Sequence, residues 1–212
     1  MSTKISPFFR FKMIVALSAC FAVGYGYTNH FPIFTPRQLS VTSVDRFFGF
    51  HPWTLWIYLS DYILIFLPAI LVTNIHVMKR LLKAYLINFA IHFPIFFFFP
   101  TTLPWEFRMY PMGSQILDGA FQFLWILDGF TNCFPSQHVS LCFVVAMGFW
   151  NYRRKLAWGM LIWSVFISLS TLTTKQHYSW DVLGGVVVAL VVYLTVYRQK
   201  KDPKIELVSP SK

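Results

Sequence analysis

The sequence predicts an all-α membrane protein, a polytopic bundle of six transmembrane helices. Three observations predict it. Hydrophobic residues make up 56% of the 212-residue chain and charged residues only 12%, roughly half the charge of a soluble domain. Mean hydropathy is +0.55, and the apolar residues fall in runs long enough to cross a bilayer. The basic residues cluster between and outside those runs. This composition excludes a disordered tail, a disulfide miniprotein and an ordinary cytosolic enzyme. Cys20, Cys133 and Cys142 are too few and too scattered for a disulfide framework or a zinc site. The 24 Phe and 8 Trp suit a lipid-facing surface with interfacial aromatics.

Spans are expected at residues 13–29, 53–76, 84–100, 137–152, 156–173 and 181–197. The first follows Lys4, Arg10 and Lys12. Its Leu17-Ser18-Ala19-Cys20 resembles a lipoprotein cleavage box, but the apolar run continues through Phe21–Tyr25, as a retained span does. The second carries Asp61, a charge that is costly inside a bilayer. Two readings of Asp61 stand level: a functional carboxylate, or an ion pair with Arg46 or Arg108 near the interface. Spans three and four are near the lower length limit. From Arg198 the chain is polar and contains Pro203, which reads as a solvated tail over 198–212 after a single membrane domain over 1–197.

Orientation follows from charge. Lys4, Arg10, Lys12, Lys79, Arg80, Lys83, Arg153, Arg154, Lys155, Arg198, Lys200, Lys201, Lys204 and Lys212 all fall on one side of a six-span layout. The positive-inside rule makes that side cytoplasmic, with both termini. The net charge of +10 is thereby a topology signal, and no nucleic-acid partner is expected. The membrane is a bacterial inner membrane or a eukaryotic endomembrane. Only Arg37, Arg46, Arg108 and Lys175 remain for the opposite face. The loops there are 30–52, 101–136 with an amphipathic stretch at Ile116–Phe130, and 174–180. That stretch either lies along the membrane surface or packs as a loop helix.

Two segments on that face carry chemistry. Cys133-Phe134-Pro135-Ser136-Gln137-His138-Val139-Ser140 opens span four, and Thr173-Thr174-Lys175-Gln176-His177-Tyr178-Ser179-Trp180-Asp181 opens span six. Ser136 after Pro135 is an N-cap. A helix N-terminus offers free N–H groups and a positive dipole end to an anion such as phosphate, and His138 sits in its first turn. His177 and Asp181 are four apart, so a carboxylate can hold one imidazole nitrogen while the other attacks phosphorus. Lys175 can neutralise developing oxyanions. The division of labour is then a carboxylate-supported nucleophile, a second histidine as general acid, and a cation with a helix end for phosphate. Two His and one Asp are a poor metal set, so no metal and no cofactor are expected. His30, His51, His76 and His92 read as structural.

These residues resemble the second and third motifs of the type 2 phosphatidic acid phosphatase (PAP2) superfamily, P-S-G-H and S-R-x5-H-x3-D. Pro135-Ser136-Gln137-His138 carries Gln for Gly. Ser170, His177 and Asp181 keep the third spacing, with Thr171 in the usual Arg position. The first motif, K-x6-R-P, is absent in its usual form, and Arg108 is the one basic residue in the corresponding loop. Lys-Gln-His-Tyr around His177 and Pro52–Ser60 look more like the inositol phosphorylceramide synthase branch.

The resemblance implies a PAP2-like bundle and a metal-independent lipid-phosphate phosphatase acting through phosphohistidine on the periplasmic or lumenal face. His177, His138 and Asp181 would be catalytic, and Ser136, Lys175 and Arg108 would bind phosphate. The partners are then a lipid phosphate and membrane lipids, with the oligomeric state open. A lipid head-group phosphotransferase is the enzymatic alternative. A transporter is the non-enzymatic one, although paired inverted repeats with broken helices, its usual signature, are not visible.

Overall fold

Ser6 caps the first helix by accepting from the Phe9 amide, with Pro7 at its first turn. The computed structural model describes residues 5–104, 106, 113–129 and 131–198. Helix α1 (Pro7–His30) runs without a break through Cys20 and contains a π-helical segment at Ala22–Gly26. A short helix α2 (Ser43–Phe47) is capped by Thr42. Helix α3 (Leu55–Leu71) continues a 3-10 turn at Pro52–Thr54, and α4 (Ile75–Phe98) follows almost at once. Then come α5 (Gln115–Leu127), α6 (Gln137–Gly148), α7 (Arg154–Thr173) and α8 (Ser179–Val196). Two-residue strands β1 (Arg37–Gln38) and β2 (Thr101–Thr102) pair in parallel and tie two loops together.

Five helices, α1, α3 with its leading turn, α4, α7 and α8, are long and apolar enough to cross a membrane. We read the chain as an integral membrane protein. The expected span at 137–152 is instead the 12-residue α6, about 18 Å long against a hydrocarbon core of about 30 Å. The reason is position: α6 packs against α3, α4, α7 and α8, and most of its side chains are buried. An enclosed helix has no lipid to match in length. The expected start of span three also moves. Asn74 accepts from the His76 and Val77 amides, so the helix begins at Ile75. Lys79, Arg80 and Lys83 therefore lie on its first turns rather than in a loop.

The outer helices are apolar on both faces. On α8, Gly185, Val188, Ala189, Val192 and Val196 face inward while Leu183, Val187, Leu190, Val191 and Leu194 are exposed. That is the expected pattern for a helix with protein on one side and lipid on the other. At one end of the bundle, Arg10 donates to the Ala69 carbonyl and Thr73 Oγ1 lies 2.8 Å from the Tyr152 hydroxyl. Basic residues cluster in this region. At the other end, the His51 amide donates to Thr173 O (2.9 Å) and the Ser136 amide to Asp181 O (2.9 Å).

The approach of α6 to α8 depends on Gly185. A Cβ there would stand 2.5 Å from Ser136 O and 3.2 Å from Val139 Cβ. Backbone cannot yield cheaply, and overpacking of this kind costs about 1–3 kcal/mol. Gly185→Ala is expected to lower thermal stability and, by displacing Ser136 and His138, to cut activity on the order of 10²-fold. Gly159→Ala, where a Cβ meets nothing within 4 Å, is the control and leaves both unchanged.

Candidate active site

The segment before α6 is pinned from two directions. Asn29 Nδ2 donates to Thr131 O (2.7 Å), Thr131 Oγ1 to Asn29 O (2.7 Å), and Asn132 Nδ2 to Thr28 Oγ1 (2.8 Å). The Cys133 amide donates to Thr101 O and the Phe134 amide to Thr101 Oγ1. Ser136 then caps α6, its Oγ accepting from the Val139 amide at 3.4 Å. The expected N-cap is therefore present, and the first N–H groups of α6 have no partner within the helix.

The turn before α8 is held by Thr171, whose carbonyl accepts from the Gln176 and His177 amides. Asp181 Oδ2 accepts from the Tyr178 amide (2.8 Å) and from His177 Nδ1 (3.2 Å). Cys133 O lies 3.1 Å from the same Nδ1. A carbonyl can only accept, so Nδ1 carries the proton. His177 Nε2 is left with its lone pair, buried and unpartnered. The ring is 4% exposed and its centroid is 6.0 Å from that of His138. The structure thus brings His177, Asp181, His138 and Ser136 together, from two chain segments some 40 residues apart.

His138 sits among Tyr25, Tyr58 and Tyr62, with ring centroids 5.4–6.1 Å away. Tyr58 donates its hydroxyl proton to Asp128 Oδ2 at 3.1 Å, so its oxygen can accept from His138 Nδ1 at 3.4 Å. Asp128 also accepts from Tyr25 and from Asn29 Nδ2. Sequence reasoning missed Asp128 and the tyrosines in this role. A signal existed on α3: Tyr58, Asp61, Tyr62 and Ile65 repeat at helical spacing and mark one partly polar face in an apolar span. Gln137 is 1% exposed and neither amide atom has a partner.

Below His138 lies a cavity of about 240 Å³. Apart from His138 and Ser18 it is lined by apolar and aromatic side chains of α1, α3, α4 and α6, among them Tyr62, Phe66, Phe89 and Leu141. It sets the polar cluster around His138 beside an apolar chamber.

Lys175, expected as a phosphate contact, reaches the loop around α2. It sits in a positive-φ turn (56°), and its ammonium donates to the carbonyls of Asp45 (2.8 Å) and Phe48. It latches that loop. Asp45 works from the other side, accepting from the Ser179 amide (2.6 Å) and the Thr42 amide (2.7 Å). Burial lowers the Lys175 pKa and the nearby Asp45 charge opposes that. Burial works against the Asp45 charge too, but hydrogen bonds from Thr42 and Ser179 outweigh it and hold the carboxyl below its ordinary value. A depressed carboxyl pKa stabilises the fold above the unfolded value of about 3.9 and ceases to do so as pH falls through the folded value. Asp45→Asn is therefore expected to lower stability by about 1–3 kcal/mol at neutral pH, with the deficit shrinking only below about pH 4. Thermal unfolding of both forms across pH tests this.

Arg108 lies outside the described residues. Asp61 has no side-chain donor on either oxygen, so the pairing with Arg46 is not observed. Thr171, in the Arg position of the third motif, spends its hydroxyl on Ser168 O (2.7 Å). Among the described residues no three His, Cys, Asp or Glu side chains gather to hold a metal.

Comparison with known proteins fits this geometry. The sequence profile of the PAP2 superfamily matches residues 40–195, which contain both histidine segments. Undecaprenyl-diphosphatase BcrC of Bacillus subtilis (strain 168) is 29% identical over 65 residues, 31% of this chain. The matched stretch spans 34% of that relative's length. No solved structure matches the chain significantly.

Proposed function

The chain belongs to the PAP2 superfamily, and on that footing we propose that it is a membrane lipid-phosphate phosphatase working through a phosphohistidine. The observation that carries the reading is the unpartnered Nε2 of His177, on a ring whose Nδ1–H is held by Asp181 and Cys133 O. His177 Nε2 attacks phosphorus and the phosphorus–oxygen bond to the lipid breaks. His138 gives a proton to the departing alkoxide. Asp181 stabilises the positive charge that forms on His177. In the second step His138 takes a proton from water, the water oxygen bonds to phosphorus, and the phosphorus–nitrogen bond breaks.

The phosphate oxygens are received by the Ser136 hydroxyl and by the first N–H groups of α6. The buried amide of Gln137 is a further donor beside them. Arg108 remains a proposed phosphate contact. The apolar cavity beside His138 suits a hydrocarbon chain on the leaving oxygen, which is why a lipid is the proposed substrate. The basic residues at the opposite end of the bundle support a site on the periplasmic or lumenal face, by the positive-inside rule.

The test is phosphate release by detergent-purified protein from a panel of lipid phosphates and diphosphates in EDTA, beside His177→Ala. Release that survives the chelator and disappears in the variant supports the reading. Release lost in EDTA and restored by a divalent cation contradicts it.

One observation favours a second reading, head-group transfer. His138 and His177 are 2% and 4% exposed, which restricts water, and an apolar cavity lies beside His138. A new phosphorylated lipid formed only when a lipid alcohol is supplied identifies transfer.

A further inference from the structure

Asp61 has a role that neither motif assigns. Its carboxyl is 0% exposed in the middle of α3, and neither oxygen receives a side-chain hydrogen bond. Among the described residues its one ion-pair neighbour is His138, whose Nε2 is 3.9 Å from Asp61 Oδ2. That nitrogen is also buried and unpartnered. Two polar atoms thus face each other across a gap too long for a direct hydrogen bond. An oxygen about 2.8 Å from each would bridge it at hydrogen-bond distance.

A carboxyl with no partner is expensive inside a membrane protein and is a functional candidate by default. The surroundings narrow the role. The groups facing Asp61 are Tyr58 and Tyr62 on its own helix, His138 and Cys142 on α6, and Asp128 after α5. None is a fixed cation. Tyr58 accepts at His138 Nδ1, so a neutral His138 carries its lone pair on Nε2, toward Asp61. For His138 to act as an acid, Nε2 must hold a second proton, and Asp61 is the group placed to share it.

We infer that Asp61 is a further catalytic residue that holds, with His138 Nε2, the proton passed to the departing lipid oxygen. This rests on the phosphohistidine reading and deepens it. In the first step the bond from phosphorus to the lipid oxygen breaks as the His177 nitrogen–phosphorus bond forms. The shared proton goes to the lipid oxygen, giving the free alcohol. In the second step the attacking water returns one proton to the pair. The bridging position between Asp61 and His138 is then occupied in turn by the departing alcohol oxygen and the entering water.

The role predicts dependence on the leaving group. A prenyl monophosphate expels an alkoxide, which needs a proton. The diphosphate of the same alcohol expels a phosphate monoester, which does not. Asp61→Asn is expected to lower kcat/KM on the monophosphate about 10²-fold and to leave the diphosphate within about threefold. Asp61→Leu, similar in size and apolar, shows the same split if the asparagine form fails to fold. Both are compared at equal monodispersity in detergent. Equal losses on the two substrates, or no loss on either, overturn the assignment. His177→Ala is run alongside: loss of both substrates upholds the phosphohistidine reading whatever Asp61 does, and retention of either overturns that reading and this inference with it.

Discussion

Replacing His177 by alanine is expected to lower phosphate release by about 10⁴–10⁶-fold without disturbing the fold. The size of the effect follows from the site. Nε2 is the unpartnered atom of a ring fixed by two acceptors, Asp181 Oδ2 and Cys133 O. Removing it removes the proposed nucleophile, not a contributor to binding. The fold survives because His177 donates only one shared hydrogen bond, while the turn it sits in is held by Thr171 O and by the Tyr178 amide on Asp181. Steady-state release and gel filtration in detergent check both halves. A variant that keeps more than about a tenth of wild-type activity would remove His177 from the reaction coordinate, since general acid–base support alone contributes 10²-fold or more.

Asp181→Asn is the second large effect, expected at about 10²–10⁴-fold in kcat. An asparagine is nearly isosteric, so the packing of a fully buried residue is kept. The chemistry is not. The amide cannot stabilise an imidazolium, and if its NH₂ turns toward His177 it favours the tautomer with the proton on Nε2, which has no lone pair for phosphorus. Cys133 O still accepts from Nδ1 at 3.1 Å, which is why the loss falls short of that for His177→Ala. The expected signature is a fall in kcat with little change in KM, because Asp181 touches His177, the proposed nucleophile, at Nδ1. A change confined to KM would contradict this role.

Much of the architecture was legible because apolar runs bounded by basic residues leave few alternatives to membrane helices. Local capping was legible at Ser136, whereas the Asn74 cap of α4 was not: residue 74 was expected inside the second span. What escaped depended on distant partners. The contacts of Lys175 with the Asp45 and Phe48 carbonyls, some 130 residues away in sequence, could not be read locally. The Phe149–Tyr152 stretch is apolar enough to lengthen span four on paper, yet the chain turns there because α6 is enclosed by its neighbours. Asp128 looked like one acid in an amphipathic stretch. Its meaning comes from Tyr25 and Tyr58 on two other helices. The pairing of the two histidine segments was suggested by their common face, whereas the tautomer of His177 rests on the Cys133 carbonyl, which no local pattern announces.

The most direct measurement is chemical trapping of the intermediate. Protein mixed with ³²P-labelled lipid phosphate is quenched in alkali within the first turnovers, digested and mapped by mass spectrometry. Base-stable, acid-labile label on the His177 peptide, absent from His177→Ala, is the predicted result. Turnover with no labelled protein at any quench time, or label on a different residue, would contradict the phosphohistidine account.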